Sequence, residues 1–301
     1  MKERHGSDHG IKQGTRTLAA IAMAALLLMT ASTCSRGGKD AGIFAAFPGA
    51  KAEAGVGLEI QTCESKEEEV LDISRLTQDR NSSQDGEERE EMLEVDQVRL
   101  CVKEAGTGRD MILIHGRTLS KECMDPLFEY YRARYHVVSY DVRGHGKTES
   151  SGEFTLDDLS DDLVALIDAY QLKDPVVIGF SMGSYIALRT AERHPDLFPG
   201  MVLIGTRGGR TSSPWPATDA VGRALESYDN MTDAPKVTVP VLVLTGEYDA
   251  INPPEEGKKV ADALPNAVYQ VVPGAEHMAF AGNPDFVFAQ VDEYLKRLNA
   301  Q

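Results

Sequence analysis

The chain has 301 residues, room for one large domain or two small ones. It is 42% hydrophobic, 26% charged and 7% aromatic, which is ordinary globular material and excludes a collagen-like, wholly disordered or polytopic membrane chain. With 31 basic against 47 acidic residues the formal net charge is -16, so the chain repels phosphate backbones and nucleic acid is not an expected partner.

In chain order, Lys12 and Arg16 precede an unbroken apolar run from Leu18 to Met29. Twelve such residues are short for a bilayer but suit the core of an export signal. Ala31, Ser32, Thr33 and then Cys34 follow, and this segment resembles a bacterial lipoprotein signal, with Cys34 as the lipidation site. An ordinary cleaved signal and an uncleaved anchor are the alternatives. Residues 1–34 are therefore assigned to export or anchoring, which implies an extracytoplasmic location and a tether to a membrane. From Glu64 to Glu94 there are twelve acidic and four basic residues, a net of -8. Such a stretch cannot bury enough surface to offset its ordering entropy, so residues 35–90 are expected to be a disordered acidic linker. The four cysteines include no Cys-x-x-Cys pair and form no disulfide scaffold. Cys101 falls in an expected strand and Cys123 in an expected helix, and both read as free buried thiols.

From about residue 91 to 301 the texture becomes that of a folded domain. Residues 92–95 and 98–102 alternate as a hairpin turning at Asp96 and Gln97. Continuous apolar runs at 111–114, 136–140, 175–178, 201–204, 241–244 and 268–272 suit strands covered on both faces, as in a parallel sheet. Helical patterns lie between them at 156–170, 183–193, 255–264 and 284–298. The expected fold class is α/β: a doubly wound, mostly parallel sheet of about eight strands with helices on both faces.

The strand at 175–178 leads directly into Gly179-Phe180-Ser181-Met182-Gly183 and then a helix. This is a Gly-x-Ser-x-Gly turn, in which a serine is held on a sharp bend and the glycines leave room for it. A serine hydroxyl needs a base. Of seven histidines, His5 and His9 lie in the targeting segment, His115 and His145 in tight turns, His136 at a strand start and His194 at a helix end. His277 remains, in a loop after the last strand, where α/β sites assemble. A carboxylate must then orient the imidazole. Asp249, in the loop after the strand at 241–244, is the candidate, with Glu247 as its rival.

The order Ser181, Asp249, His277 is that of α/β-hydrolases, and residues 91–301 resemble that family. His115-Gly116 at a strand end, the run Asp141-Val142-Arg143-Gly144-His145-Gly146-Lys147-Thr148, and the loops carrying Asp249 and His277 match its other segments. By that resemblance the backbone N–H groups of Met182 and Arg117 form an oxyanion hole, and His115 and Gly116 sit at the substrate pocket. The Arg117 guanidinium either meets a substrate carboxylate or pairs with an acidic neighbour. Only 36 residues, 205–240, separate two strands where the family often inserts a helical cap. They leave room for one connecting helix at 218–228 and a loop carrying Trp215, so the cap is minimal, the site open, and Trp215 a wall of the acyl pocket or a clamp for its own loop.

The expected function is a serine hydrolase acting on a small-molecule carboxylic ester, thioester or lactone through an acyl-enzyme on Ser181. No metal cluster or phosphate-binding loop is visible in the sequence, so no cofactor is implied, and nothing in it fixes an oligomeric state. A cofactor-free haloperoxidase or perhydrolase uses the same triad. A non-catalytic tethered binding protein on a hydrolase scaffold is the alternative from another class.

Overall fold

The computed structural model describes residues 70–71, 86–95, 98–148, 150, 152–209 and 219–300. Cys34 with its signal, most of the acidic stretch, the hairpin tip at Asp96-Gln97 and Trp215 with its loop lie outside the described residues.

The described strands form one nine-stranded sheet. In chain order they are β1 (Val70–Leu71), β2 (Arg89–Val95), β3 (Val98–Ala105), β4 (Arg109–Ile114), β5 (Tyr135–Tyr140), β6 (Val176–Phe180), β7 (Met201–Ile204), β8 (Val241–Gly246) and β9 (Ala267–Val272). Their order across the sheet is β1-β2-β3-β5-β4-β6-β7-β8-β9. The β2–β3 and β3–β5 pairs are antiparallel and all the others parallel. The fold class is thus the expected one. β1 was not expected: Val70–Leu71 belongs to the acidic stretch yet pairs with Met92 and Leu93. The hairpin begins at Arg89, two residues before the expected domain start.

The continuous apolar runs are buried on both sides. Along β4, Ile112 and Ile114 join one core while Met111 and Leu113 join the other. β6, β7 and β8 divide in the same way, with Val177, Leu203 and Val243 on one face and Ile178, Val202 and Leu242 on the other. Successive strand residues point to opposite faces, so only a sheet covered twice satisfies such runs. The first face is covered by α2 (Leu156–Ala169) and α3 (Met182–Arg193), the second by α1 (Asp125–Tyr131) and α8 (Pro284–Leu298). Each of these Leu, Ile or Val side chains contributes about 1.5–3 kcal/mol on burial. α2 starts in a capping box: Asp158 N–H donates to Thr155 Oγ1 at 3.3 Å and Thr155 N–H to Asp158 Oδ2 at 2.7 Å.

β9 departs from the expected double covering. Among the described strands it ends the sheet and pairs only with β8, and Val268 and Val271 stay exposed on it. Cys123 lies in a 3-10 turn, Lys121–Met124, rather than an α-helix. Cys101 and Cys123 are free thiols, as expected, and burial pushes their pKa values up to about 11 and about 12.

The cap segment has two short helices among its described residues, α4 (Ala220–Glu226) and α5 (Asn230–Asp233). α4 is shorter than the expected 218–228 helix because Asp219 caps it, Oδ1 accepting from Gly222 N–H at 2.6 Å. α6 (Pro254–Ala263) and α7 (Ala279–Gly282) complete the α-helices among the described residues. Among the described residues no helix is long and apolar enough to cross a membrane.

Candidate active site

β4 leads to β5 on one side of itself and has β6 on the other, so the winding direction reverses between β4 and β6. The carboxyl ends of strands at such a reversal open a crevice where α/β sites form. His115-Gly116 leaves β4 there and Ser181 leaves β6.

Ser181 holds φ 49° and ψ -111°. A non-glycine residue in that region costs about 1–3 kcal/mol and persists only where its surroundings enforce it. Here Ser181 N–H donates to Ile204 O at 2.8 Å, and the Ser184 hydroxyl and N–H both donate to Ser181 O, at 2.5 and 2.9 Å. The flanking glycines have a steric reason. A Cβ on Gly179 would run into the backbone of Gly183, and one on Gly183 into the carbonyl of Ile114 on β4. The turn can be this tight only without them.

Ser181 Oγ lies 3.0 Å from His277 Nε2, and His277 Nδ1 lies 2.7 Å from Asp249 Oδ2. The carboxylate can only accept, so Nδ1 carries the proton and Nε2 is left to accept from the serine. Asp249 is fully buried, and its other oxygen, Oδ1, accepts from the N–H groups of Ile251 and Asn252 at 2.9 and 2.8 Å. A buried carboxylate so bonded has one free direction, toward His277. Glu247, the rival, is exposed and instead receives Gly274 N–H at 2.8 Å, which ties the two loops together.

Met182 opens α3, so its N–H is one of the four the helix itself cannot use. The neighbouring loop is pressed against the nucleophile: a Cβ on Gly116 would stand 2.9 Å from the Phe180 ring and 3.3 Å from Ser181 Cβ. Arg117 follows at once. Its Nη2 lies 3.1 Å from Asp219 Oδ2, the acidic-neighbour alternative. His115, expected at the substrate pocket, is instead wholly buried beneath the loop. Its Nδ1 donates to Gly116 O at 2.8 Å and its Nε2 accepts from Val142 N–H at 2.9 Å. Burial brings its pKa down to about 4, with the His145 ring 5.1 Å away adding to the effect. His115 is a neutral brace for the loop, and Gly116, also buried, is its packing point.

Two supporting residues escaped the reading of the sequence. Asn252 donates its side-chain amide to Gly205 O at 2.6 Å, and so ties the Asp249 loop to the end of β7. Asp219 joins the cap segment to Arg117. The signal for Asn252 was the need of a buried carboxylate for nearby donors. Asp219 had no such signal, since the expected helix 218–228 placed it inside a helix.

The comparisons with known proteins agree with this architecture. Residues 111–235 match the family model described as alpha/beta hydrolase fold, and residues 213–300 the one described as TAP-like protein. The chain belongs to the α/β-hydrolase fold family, and it is an enzyme of the hydrolase class. A Mycobacterium tuberculosis protein that carries the name non-heme bromoperoxidase BpoC is 27% identical over 63% of this chain and 95% of its own. A pimeloyl-[acyl-carrier protein] methyl ester esterase of Aromatoleum aromaticum is 32% identical over 43% of this chain and 52% of its own. Among solved structures, a thermophilic esterase from Thermogutta terrifontis aligns with a TM-score of 0.62 and 24% identity, over 70% of this chain and 99% of that one.

Proposed function

We propose that the protein is a serine hydrolase cleaving a carboxylic ester, or a related thioester or lactone, through an acyl-enzyme on Ser181. The observation that carries this reading is the continuous relay from Ser181 Oγ through both nitrogens of His277 to buried Asp249, at 3.0 and 2.7 Å. His277 Nε2 takes the hydroxyl proton as Oγ attacks the acyl carbon, and Asp249 stabilises the imidazolium. The developing oxyanion falls to the N–H groups of Met182 and Arg117, and one such donor is worth about 3 kcal/mol in related chemistry. His277 then hands its proton to the leaving alcohol. A water, deprotonated by the same nitrogen, releases the acid and restores Ser181.

Intact mass of the full chain before and after a fluorophosphonate tests this, with Ser181→Ala alongside. One adduct on the wild type and none on the variant is expected. A well-folded wild type that takes no adduct would sink the reading and favour a binding protein on a hydrolase scaffold.

The likeness to a protein named for bromoperoxidase activity favours one second reading: hydrogen peroxide in place of water on the acyl-enzyme, giving a peracid. Product ratios at matched water and peroxide activities separate the two. For location, we propose that residues 1–34 direct export and that Cys34 carries lipid, on the strength of the apolar run 18–29 and the small residues after it. Retention of radiolabelled palmitate by the wild type and its loss in Cys34→Ala is the expected result.

A further inference from the structure

We propose that Arg117 selects substrates whose acyl group ends in a carboxylate, so that half-esters of short dicarboxylic acids are preferred over neutral esters. The inference rests on the serine-hydrolase reading above and names its substrate class.

Arg117 is fixed one residue beyond Gly116, whose Cβ position lies 3.3 Å from Ser181 Cβ. The next residue, Thr118, holds φ 64°. The side chain runs from this loop to Asp219 at the start of α4 in the cap segment. The guanidinium therefore stands between the oxyanion loop and the cap.

Its bonding is incomplete. Guanidinium meets carboxylate best when two parallel N–H groups face two oxygens. Elsewhere in the molecule arginines achieve this. Arg143 uses Nε and Nη2 on the two oxygens of Asp162, at 2.8 and 2.6 Å, and Arg189 uses the same edge on Asp157, at 2.6 and 3.1 Å. On Arg117 only Nη2 reaches Asp219, while Nε is buried with no hydrogen-bond partner among the described residues. The other oxygen of Asp219, Oδ1, is turned to Gly222 N–H at the start of α4 instead. Asp219 thus orients the guanidinium through one oxygen and leaves Nε unmet, and an unmade bond on a buried donor is costly. With Nη2 alone engaged on Asp219, the guanidinium has donors to spare for a second carboxylate, which would approach it over the 19% of the side chain that remains exposed. The other basic side chains of this cluster do not compete for it, since burial keeps His115 and His145 below the ordinary histidine range.

The test compares kcat/KM for methyl half-esters of succinate, glutarate and adipate with that for neutral methyl esters of matched length. The full chain is assayed as wild type, Arg117→Met, Arg117→Lys and Asp219→Asn. The acid-to-neutral ratio should fall about 10–100-fold in Arg117→Met, mostly through KM, since a hydrogen bond to a charged group is worth about 1.5–3 kcal/mol. Arg117→Lys should recover part of it, and Asp219→Asn should raise it. In parallel, calorimetric titration of glutarate into Ser181→Ala should show binding that the added Arg117→Met removes. If neutral esters are turned over but the ratio ignores Arg117 and glutarate does not bind, this inference is overturned while the hydrolase reading stands. If no ester of either kind is turned over but glutarate binds through Arg117, the carboxylate site stands and the hydrolase reading falls.

Discussion

β4 is flanked by two strands whose following loops are built on opposite terms. The loop 141–148, after β5, has its polar groups closed. Asp141, buried, accepts from Lys121 N–H at 2.8 Å, Lys121 Nζ at 3.1 Å and Lys147 N–H at 2.9 Å. Thr148 Oγ1 accepts from Cys101 N–H at 2.8 Å. The turn 179–183, after β6, holds a strained serine, a helix end with unused N–H groups, and beside it an arginine whose Nε has no partner among the described residues. The closed loop spends its bonding capacity on rigidity. The open turn keeps capacity for a ligand, and its strain is tolerable because its neighbours cannot move.

The comparison breaks most completely at Ser181. Ser181→Ala should lower kcat by about 10⁴–10⁶-fold, the scale seen when a nucleophile of this kind is removed. Ser181→Gly should be equally inactive yet more stable, by about 1 kcal/mol, because glycine holds φ 49° without the steric penalty. Ester turnover and urea unfolding of the two variants check this. A Ser181→Gly variant no more stable than Ser181→Ala would show that the turn stores no usable strain.

The closed loop breaks at Lys121. Its Nζ is wholly buried among Glu90, Glu122 and Asp141, at 3.0, 2.9 and 3.1 Å. Burial pulls its pKa down, but the bond to Glu122 and the charge of Asp141 outweigh that and hold it above the ordinary lysine value. Glu90 keeps Lys147, but Lys121→Met leaves the buried Asp141 without its cation, and removing one partner of a buried pair costs about 3–5 kcal/mol. The urea midpoint should drop accordingly, while turnover per fluorophosphonate-counted site stays near wild type. A large loss of turnover at unchanged stability would contradict the division of labour between the two loops.

How far each region could be read in the sequence follows the same line. The triad was legible because each member sits in a short local pattern: a glycine-flanked serine, and a loop after each of two apolar strands. The Lys121 cluster was not, since a lysine beside a glutamate reads as surface and only the packing of β2 against the loop 141–148 buries it. The Arg117–Asp219 pair spans 102 residues and depends on where the cap segment lies. The apolar run of β9 could not disclose that it ends the sheet, and two residues such as Val70–Leu71 are too few to announce a strand.

Asn252 offers a sharper and smaller test on the open side. Its N–H bond to Asp249 survives any substitution other than proline, so Asn252→Ala removes only the amide tie to Gly205 O. Loosening the loop that aims Asp249 should lower kcat about tenfold, the scale of one lost hydrogen bond, and leave KM nearly unchanged. A rise in KM at constant kcat would place Asn252 at the substrate instead.

The smallest effect lies at the far end of the same strands. His136 on β5 is held between Asp110 Oδ1, 2.6 Å from Nδ1, and Glu104 Oε2, 2.8 Å from Nε2. Burial works to discharge the ring, but the bonds to Asp110 and Glu104 outweigh it, and the pKa stands above the ordinary histidine value. The folded state therefore binds this proton more tightly than the unfolded one. The stabilisation is fully present below the unfolded pKa, near 6.5. It fades as pH rises through the raised folded value and is absent above both. Wild type minus His136→Gln stability, measured by urea unfolding at successive pH values, should thus be largest in mild acid and shrink toward alkaline pH. A difference that grew with pH would mean that the ring is neutral in the folded protein, and that the two carboxylates do not hold its second proton.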